Sequence, residues 1–169
     1  MTDIDIRDAA PGDFGIICGL NQAAVQHTSD MDPARLATLH ELACYHRVCC
    51  VDDRIAGFLL AMRDGAAYEN ANFNWFSKKF IHFVYIDRIV VGSEFRGMNL
   101  GSLLYEDLFR YARSNGIGRV TCEYNIVPPN EPSRRFHDKF GFQEQGTQWL
   151  EEGAKRVSMQ AVELTLPEA

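Results

Sequence analysis

The sequence offers no run of about 18 apolar residues, so no segment can cross a bilayer as a helix. Its opening, Met1-Thr2-Asp3-Ile4-Asp5, is acidic and lacks the basic-then-apolar order of a secretion signal, and the expectation is an intracellular, cytoplasmic protein. An excess of basic residues is also missing. The net charge of -6 argues against general affinity for nucleic acid or an anionic membrane, and suits a cationic or amine substrate. No C-x-x-C pair occurs among Cys18, Cys44, Cys49, Cys50 and Cys122; their odd number and apolar neighbours fit reduced core thiols rather than a disulfide framework. Cys49 and Cys50, adjacent in a predicted strand, point to opposite faces. His27, His40 and His46 fall on or near predicted helices without the spacing of a metalloenzyme helix, so they read as surface or structural residues and no metal site is expected. Internal repeats, low-complexity tracts and linkers are absent as well.

What remains is 169 residues of ordinary globular composition, 46% hydrophobic and 24% charged. That is enough for one domain over 1–169 that buries roughly two thirds of its unfolded surface. Ile4-Asp5-Ile6-Arg7 alternates as a strand, and a helix follows with Asp13 as N-cap and Phe14, Ile17, Leu20, Asn21 and Ala24 on one face. Asp32-Pro33 opens a second helix through Leu36, Leu39, His40 and Ala43. Val48 to Val51 and Ile55 to Met62 flank the charged turn Asp52-Asp53-Arg54 as a hairpin; Gly57 inside its second strand marks a bulge or a close backbone neighbour. Next comes an aromatic-rich insertion at about 66–80, where Tyr68, Phe73, Trp75 and Phe76 stand among Asn70, Asn72 and Asn74. It is too aromatic for a solvated loop and too irregular for a strand. Either it walls a substrate site as a lid, or it covers the core and serves packing or a homodimer contact.

The centre of the chain reads as strand, tight turn and helix. Phe83, Tyr85, Ile89 and Val91 recur at period two, and Leu100, Leu104 and Leu108 follow at helical spacing. Between them stand Gly92, Gly97 and Gly101 with Arg96 and Ser102. A helix start offers free N–H groups, and glycines let a ligand approach the backbone, so this turn is a candidate anion cradle. Its spacing fits neither the P-loop nor the dinucleotide fingerprint. Asn115-Gly116-Ile117-Gly118 stops the helix. Arg119 to Ile126 is another strand, with Val120, Cys122, Tyr124 and Ile126 on one face and Thr121, Glu123 and Asn125 on the other. Val127-Pro128-Pro129 turns the chain away from its neighbour, and the tail alternates around Glu151 to Arg156 as a hairpin.

Two stretches carry a family resemblance. Arg96-Gly97-Met98-Asn99-Leu100-Gly101-Ser102-Leu103-Leu104 resembles the acyl-CoA pyrophosphate loop of the GNAT superfamily of N-acyltransferases, whose pattern is Arg or Gln, two residues, Gly, one residue, Gly or Ala. The middle glycine falls on Asn99, the residue other than glycine that best tolerates a left-handed backbone. Asn130-Glu131-Pro132-Ser133-Arg134-Arg135-Phe136-His137-Asp138-Lys139-Phe140-Gly141-Phe142 is similar to the family's later motif, with His137 where Tyr is usual. The resemblance implies a single-domain α/β (α+β) GNAT fold: a mixed central sheet of about six to seven strands, splayed at the acyl-CoA cleft near Val127-Pro128-Pro129 and flanked by about four helices. It implies an acetyl-CoA-dependent N-acetyltransferase that moves an acetyl group directly to a primary amine of a small molecule or peptide. The pyrophosphate would rest on Arg96, Gly97, Met98, Asn99, Leu100, Gly101 and Ser102. The pantetheine arm would pair like an added strand with Ile89, Val90 and Val91, and Asn130 would also touch the cofactor.

Direct transfer needs a base for the amine and a proton for the leaving thiolate. Glu123 and Asp87 are the carboxylates on the strands expected to border the cleft, and Glu123 is preferred as the base. His137, at the family's Tyr position, is expected to protonate the thiolate. No cysteine is needed as a nucleophile. The alternative is a GNAT-like acyl-CoA-binding sensor or interaction module without turnover.

Overall fold

The computed structural model describes residues 1–25 and 28–168, so His27 lies outside the described residues. Seven strands form among the described residues: β1 (Ile4–Asp8), β2 (Tyr45–Val51), β3 (Arg54–Arg63), β4 (Val84–Val91), β5 (Arg119–Val127), β6 (Gln143–Leu150) and β7 (Lys155–Glu163). They make one mixed sheet in the order β1-β2-β3-β4-β5-β7-β6. Every neighbouring pair is antiparallel except β4 and β5. Five α-helices among the described residues complete a single-domain α/β fold: α1 (Phe14–Ala23), α2 (Pro33–Leu42), α3 (Ala71–Lys79), α4 (Leu100–Ser114) and α5 (Glu131–Lys139).

Strand alternation sends two sets of side chains into two cores. On one face Leu59, Val84, Ile86, Val120 and Cys122 pack under Leu100, Leu104 and Leu108 of α4. On the other, Phe58, Leu60, Tyr85 and Met159 pack under Ile17 of α1, Leu36 and Leu39 of α2, and Phe73 and Phe76 of α3. Cys49 belongs to the first core and Cys50 to the second, as adjacent strand residues must. Gly57 is a close-approach position, where a Cβ would stand 2.7 Å from the Val90 carbonyl oxygen. His40 and His46 pair through their Nδ1 atoms at 2.8 Å.

The structure corrects four local readings. The insertion is not irregular: Asn70 caps α3 by accepting from the N–H groups of Asn72 and Phe73, and Phe73, Phe76 and Phe80 then recur at i, i+3, i+7. Period two is not continuous through β4, because the pairing with β3 skips Asp87 between Leu60↔Arg88 and Ala61↔Ile86. That bulge moves Phe83 and Tyr85 to the α3 face and leaves Ile89 and Val91 on the α4 face. Asp13 precedes α1 without capping it; its carboxylate accepts from Arg7 and from the Ala10 N–H. Finally, the splay between β4 and β5 does not wait for Pro128 and Pro129. The parallel ladder holds only Val84↔Val120 and Tyr85↔Thr121, and from there the strands part.

Candidate active site

The parting of β4 and β5 opens a cleft of about 320 Å³ that passes between the two faces of the sheet. From the α4 and α5 side it is lined by Tyr105, Tyr124, Asn130 and His137; from the α3 side by Asn72, Tyr85, Asp87 and Glu123. Beyond Tyr85, the edge of β4 that faces β5 has no strand partner among the described residues, so backbone groups of Ile89 to Val91 along that edge are open to an extended ligand.

The turn before α4 has the shape that its composition suggested. Gly97 takes φ +83° and Asn99 takes φ 62°, ψ 26°, both left-handed, which aims the chain into the helix. Leu100, Gly101 and Ser102 form the first turn of α4, and their N–H groups find no acceptor among the described residues. Ser102 is buried and Arg96 exposed. None of Arg96 to Ser102 lines the cleft itself. Tyr105, one turn further along α4, does, so this helix joins the loop to the cleft.

Glu123 and Asp87 both line the cleft, but their bonding differs. Asp87 accepts from the Tyr68 hydroxyl at Oδ1 and from Arg88 Nε at Oδ2, 2.7 Å away. Arg88 is itself fixed by Asn21 Oδ1 at 3.2 Å and by the Ser29 carbonyl and hydroxyl oxygens, each at 2.9 Å. Both Asp87 oxygens are committed to structure. Among the described residues Glu123 has only neutral partners: the Tyr85 hydroxyl and Asn72 Nδ2, at 2.7 Å, both donate to Oε1. Burial is the main cause that pushes its carboxyl up to about 7, with the Asp87 charge adding to it and the Tyr85 and Asn72 hydrogen bonds opposing it.

His137 stands in the cleft wall, yet both ring nitrogens are engaged. Nδ1 lies 2.7 Å from the Ser133 carbonyl oxygen, an acceptor only, so Nδ1 carries the proton. Nε2 is then the acceptor for the Tyr105 hydroxyl at 2.7 Å. Burial lowers the imidazole below its ordinary value, in the same direction as this neutral tautomer. Asn130 caps α5, its Oδ1 accepting from the Ser133 N–H at 3.3 Å. Thus Glu123, Asp87, His137, Ile89 and Asn130 share one cleft, while Arg96 to Ser102 form a separate surface reached along α4. The bond of Asn72 to Glu123, that of Tyr68 to Asp87 and the place of Tyr105 in the cleft wall are not part of the sequence reading. The Asn-rich stretch around α3 carried the signal for the first, through a helix start at Asn70 that puts Asn72 in the first turn.

Comparison with known proteins gives a consistent picture. The family described as Acetyltransferase (GNAT) family matches residues 14–142. No curated protein matches the chain in sequence. Among solved structures, Ard1 from Thermoplasma volcanium is similar with a TM-score of 0.77 at 18% identity, over 96% of this chain and 98% of that one. The ribosomal-protein-S18-alanine N-acetyltransferase from Escherichia coli follows with a TM-score of 0.74 at 13% identity, over 98% and 97%. So does yncA from Salmonella typhimurium, solved with its cofactor acetyl-CoA, with a TM-score of 0.73 at 19% identity, over 99% and 97%.

Proposed function

Because the chain belongs to the GNAT acetyltransferase family, we propose that it transfers an acetyl group from acetyl-CoA to a primary amine, with Glu123 as the base. One observation carries the reading: a carboxylate stands at the vertex of the splayed strands, with partners among the described residues on Oε1 only and a proton affinity near neutrality. The free N–H groups at the start of α4, with Arg96 nearby, suit the donor's pyrophosphate. The unpaired edge at Ile89 to Val91 suits its pantetheine arm, and Asn130 stands beside the same opening. The donor then comes from the α4 side and the amine from the α3 side.

In the proposed reaction Glu123 takes a proton from the acceptor ammonium, and the freed nitrogen attacks the thioester carbonyl carbon. Collapse of the tetrahedral species breaks the C–S bond, forms the amide and expels the thiolate. A second proton, shed by the nitrogen, balances the thiolate charge. His137 keeps a place at the thiolate end, as the acceptor that orients the Tyr105 hydroxyl; its own N–H is held by Ser133. Asp87, bound to Arg88 and Tyr68, serves the architecture of the cleft. Calorimetric titration with acetyl-CoA and with free CoA tests the donor site. Binding to both, weakened by Arg96→Glu, is the expected outcome; binding to neither overturns the assignment.

The alternative without turnover rests on the fully engaged His137 ring. Donor binding with no thiol release across a broad panel of amines would establish it.

A further inference from the structure

Glu123 Oε1 accepts two hydrogen bonds, from Tyr85 and Asn72, which occupy both lone pairs of that oxygen. Oε2 has no hydrogen-bond partner among the described residues and is not one of the buried unpaired polar atoms, so it opens to the cleft. Asn72 belongs to α3, and its own amide has a defined direction. An ionised carboxylate only accepts, so the Asn72 NH2 faces Glu123 and Asn72 Oδ1 faces outward, where Gln148 Nε2 of β6 donates to it at 3.0 Å. The helix is pressed against the same strand by Trp75, whose Cζ2 lies 2.7 Å from where a Cβ on Gly146 would be.

We propose that Asn72 is the positioning residue of this site: by filling Oε1 together with Tyr85, it leaves Oε2, the oxygen that faces the acceptor, as the one place where the base can take its proton. The aromatic insertion is thereby part of the catalytic apparatus, with the chain of donors Gln148 to Asn72 to Glu123 linking β6, α3 and β5. This rests on the reading of Glu123 as the base. Other titratable or charged groups line the same cleft: Tyr85 and the Asp87–Arg88 pair on β4, Tyr105 on α4, Cys122 and Tyr124 on β5, His137 on α5, and Glu151 and Lys155 at the β6–β7 turn, while Tyr68 before α3 bonds Asp87. Of these and the neighbouring side chains, Tyr85 and Asn72 are the ones that bond Glu123. An N–H donated to a carboxylate stabilises its charged form, so loss of the Asn72 amide shifts proton uptake to higher pH.

The test follows the Glu123 carboxyl itself by 13C NMR titration without substrate, in the wild type, in the isosteric Asn72→Leu variant and in Gln148→Leu. The expected result is an upward shift of the midpoint by about one unit in Asn72→Leu, on the scale of one hydrogen bond to a charged group. A smaller shift of the same sign is expected in Gln148→Leu, which keeps the proposal testable if Asn72→Leu does not fold. The pH profile of kcat/KM should move with it, giving about tenfold loss on the acid limb and little at high pH. An unmoved Glu123 midpoint, or a loss uniform in pH, overturns the proposal. A shifted midpoint in a protein that acetylates no amine overturns the enzymatic reading and leaves the Asn72–Glu123 coupling standing.

Discussion

Tyr85 is the last residue of β4 in the ladder with β5, and its hydroxyl donates across the opening to Glu123, two residues beyond the last paired residue of β5. The carboxylate is therefore anchored at the vertex of the splay, where the sheet is still rigid and the cleft begins. A group held at this point is oriented by the backbone of two strands, and the chemistry proposed for it depends on that.

Glu123→Gln should lower kcat/KM by about 10²- to 10³-fold at neutral pH, the range for loss of a general base. Asp87→Asn should act differently. It leaves the Arg88 guanidinium, only 7% exposed, without its carboxylate partner. A stability loss of about 3–5 kcal/mol is expected, measurable by urea unfolding, and the acid limb of the rate profile should move to lower pH, because the Asp87 charge that helps raise Glu123 is gone.

Stability should depend on pH through two groups of opposite sign. Glu123 titrates at about 7 when folded against an ordinary 4.5, so between those values the folded state holds more protons and stability falls as pH rises, by up to about 3 kcal/mol. Glu123→Gln should accordingly be more stable than the wild type above pH 7, with the difference closing toward pH 4.5. His46 is pushed down to about 4, mainly by burial and then by His40. Here the unfolded state holds more protons between 4 and 6.5, so stability is lost as pH falls through that window. Thermal unfolding of His46→Phe should show a flatter acid limb.

At Asn99 the left-handed backbone sets the expected order. Asn99→Gly should keep fold and acetyl-CoA affinity, whereas Asn99→Val should cost about 1–2 kcal/mol and weaken binding, because a β-branched residue resists φ 62°. Denaturant midpoints and calorimetry check both.

Gly146 admits Trp75, and Gly146→Val should destabilise by about 1–3 kcal/mol through overpacking against the ring. A double-mutant cycle with Trp75→Leu should recover part of the loss if the clash is the cause.

The sequence made the sheet and the turn before α4 legible because both rest on local signals. Strand alternation identified Cys49 and Cys50 as facing opposite ways, and Gly97 and Asn99 announced left-handed turns. The bulge at Asp87 was hidden because one skipped residue leaves hydrophobic spacing looking regular. The insertion was misread as irregular because its helical stripe spans just Phe73, Phe76 and Phe80, and the cap at Asn70 was the stronger sign. The polar connections of Glu123 join residues 38 and 51 positions apart, which no periodicity encodes. For the same reason His137 could be placed on its motif, while its bond to Tyr105, a residue 32 positions away, could not be read.

The measurement that tests the proposed chemistry most directly is release of free thiol from acetyl-CoA at pH 8 over a panel of amines, compared between the wild type and Glu123→Gln. Amine-dependent release that falls about 10²-fold or more in the variant is the predicted result. No amine-dependent release by the wild type, or release that Glu123→Gln leaves intact, would contradict it.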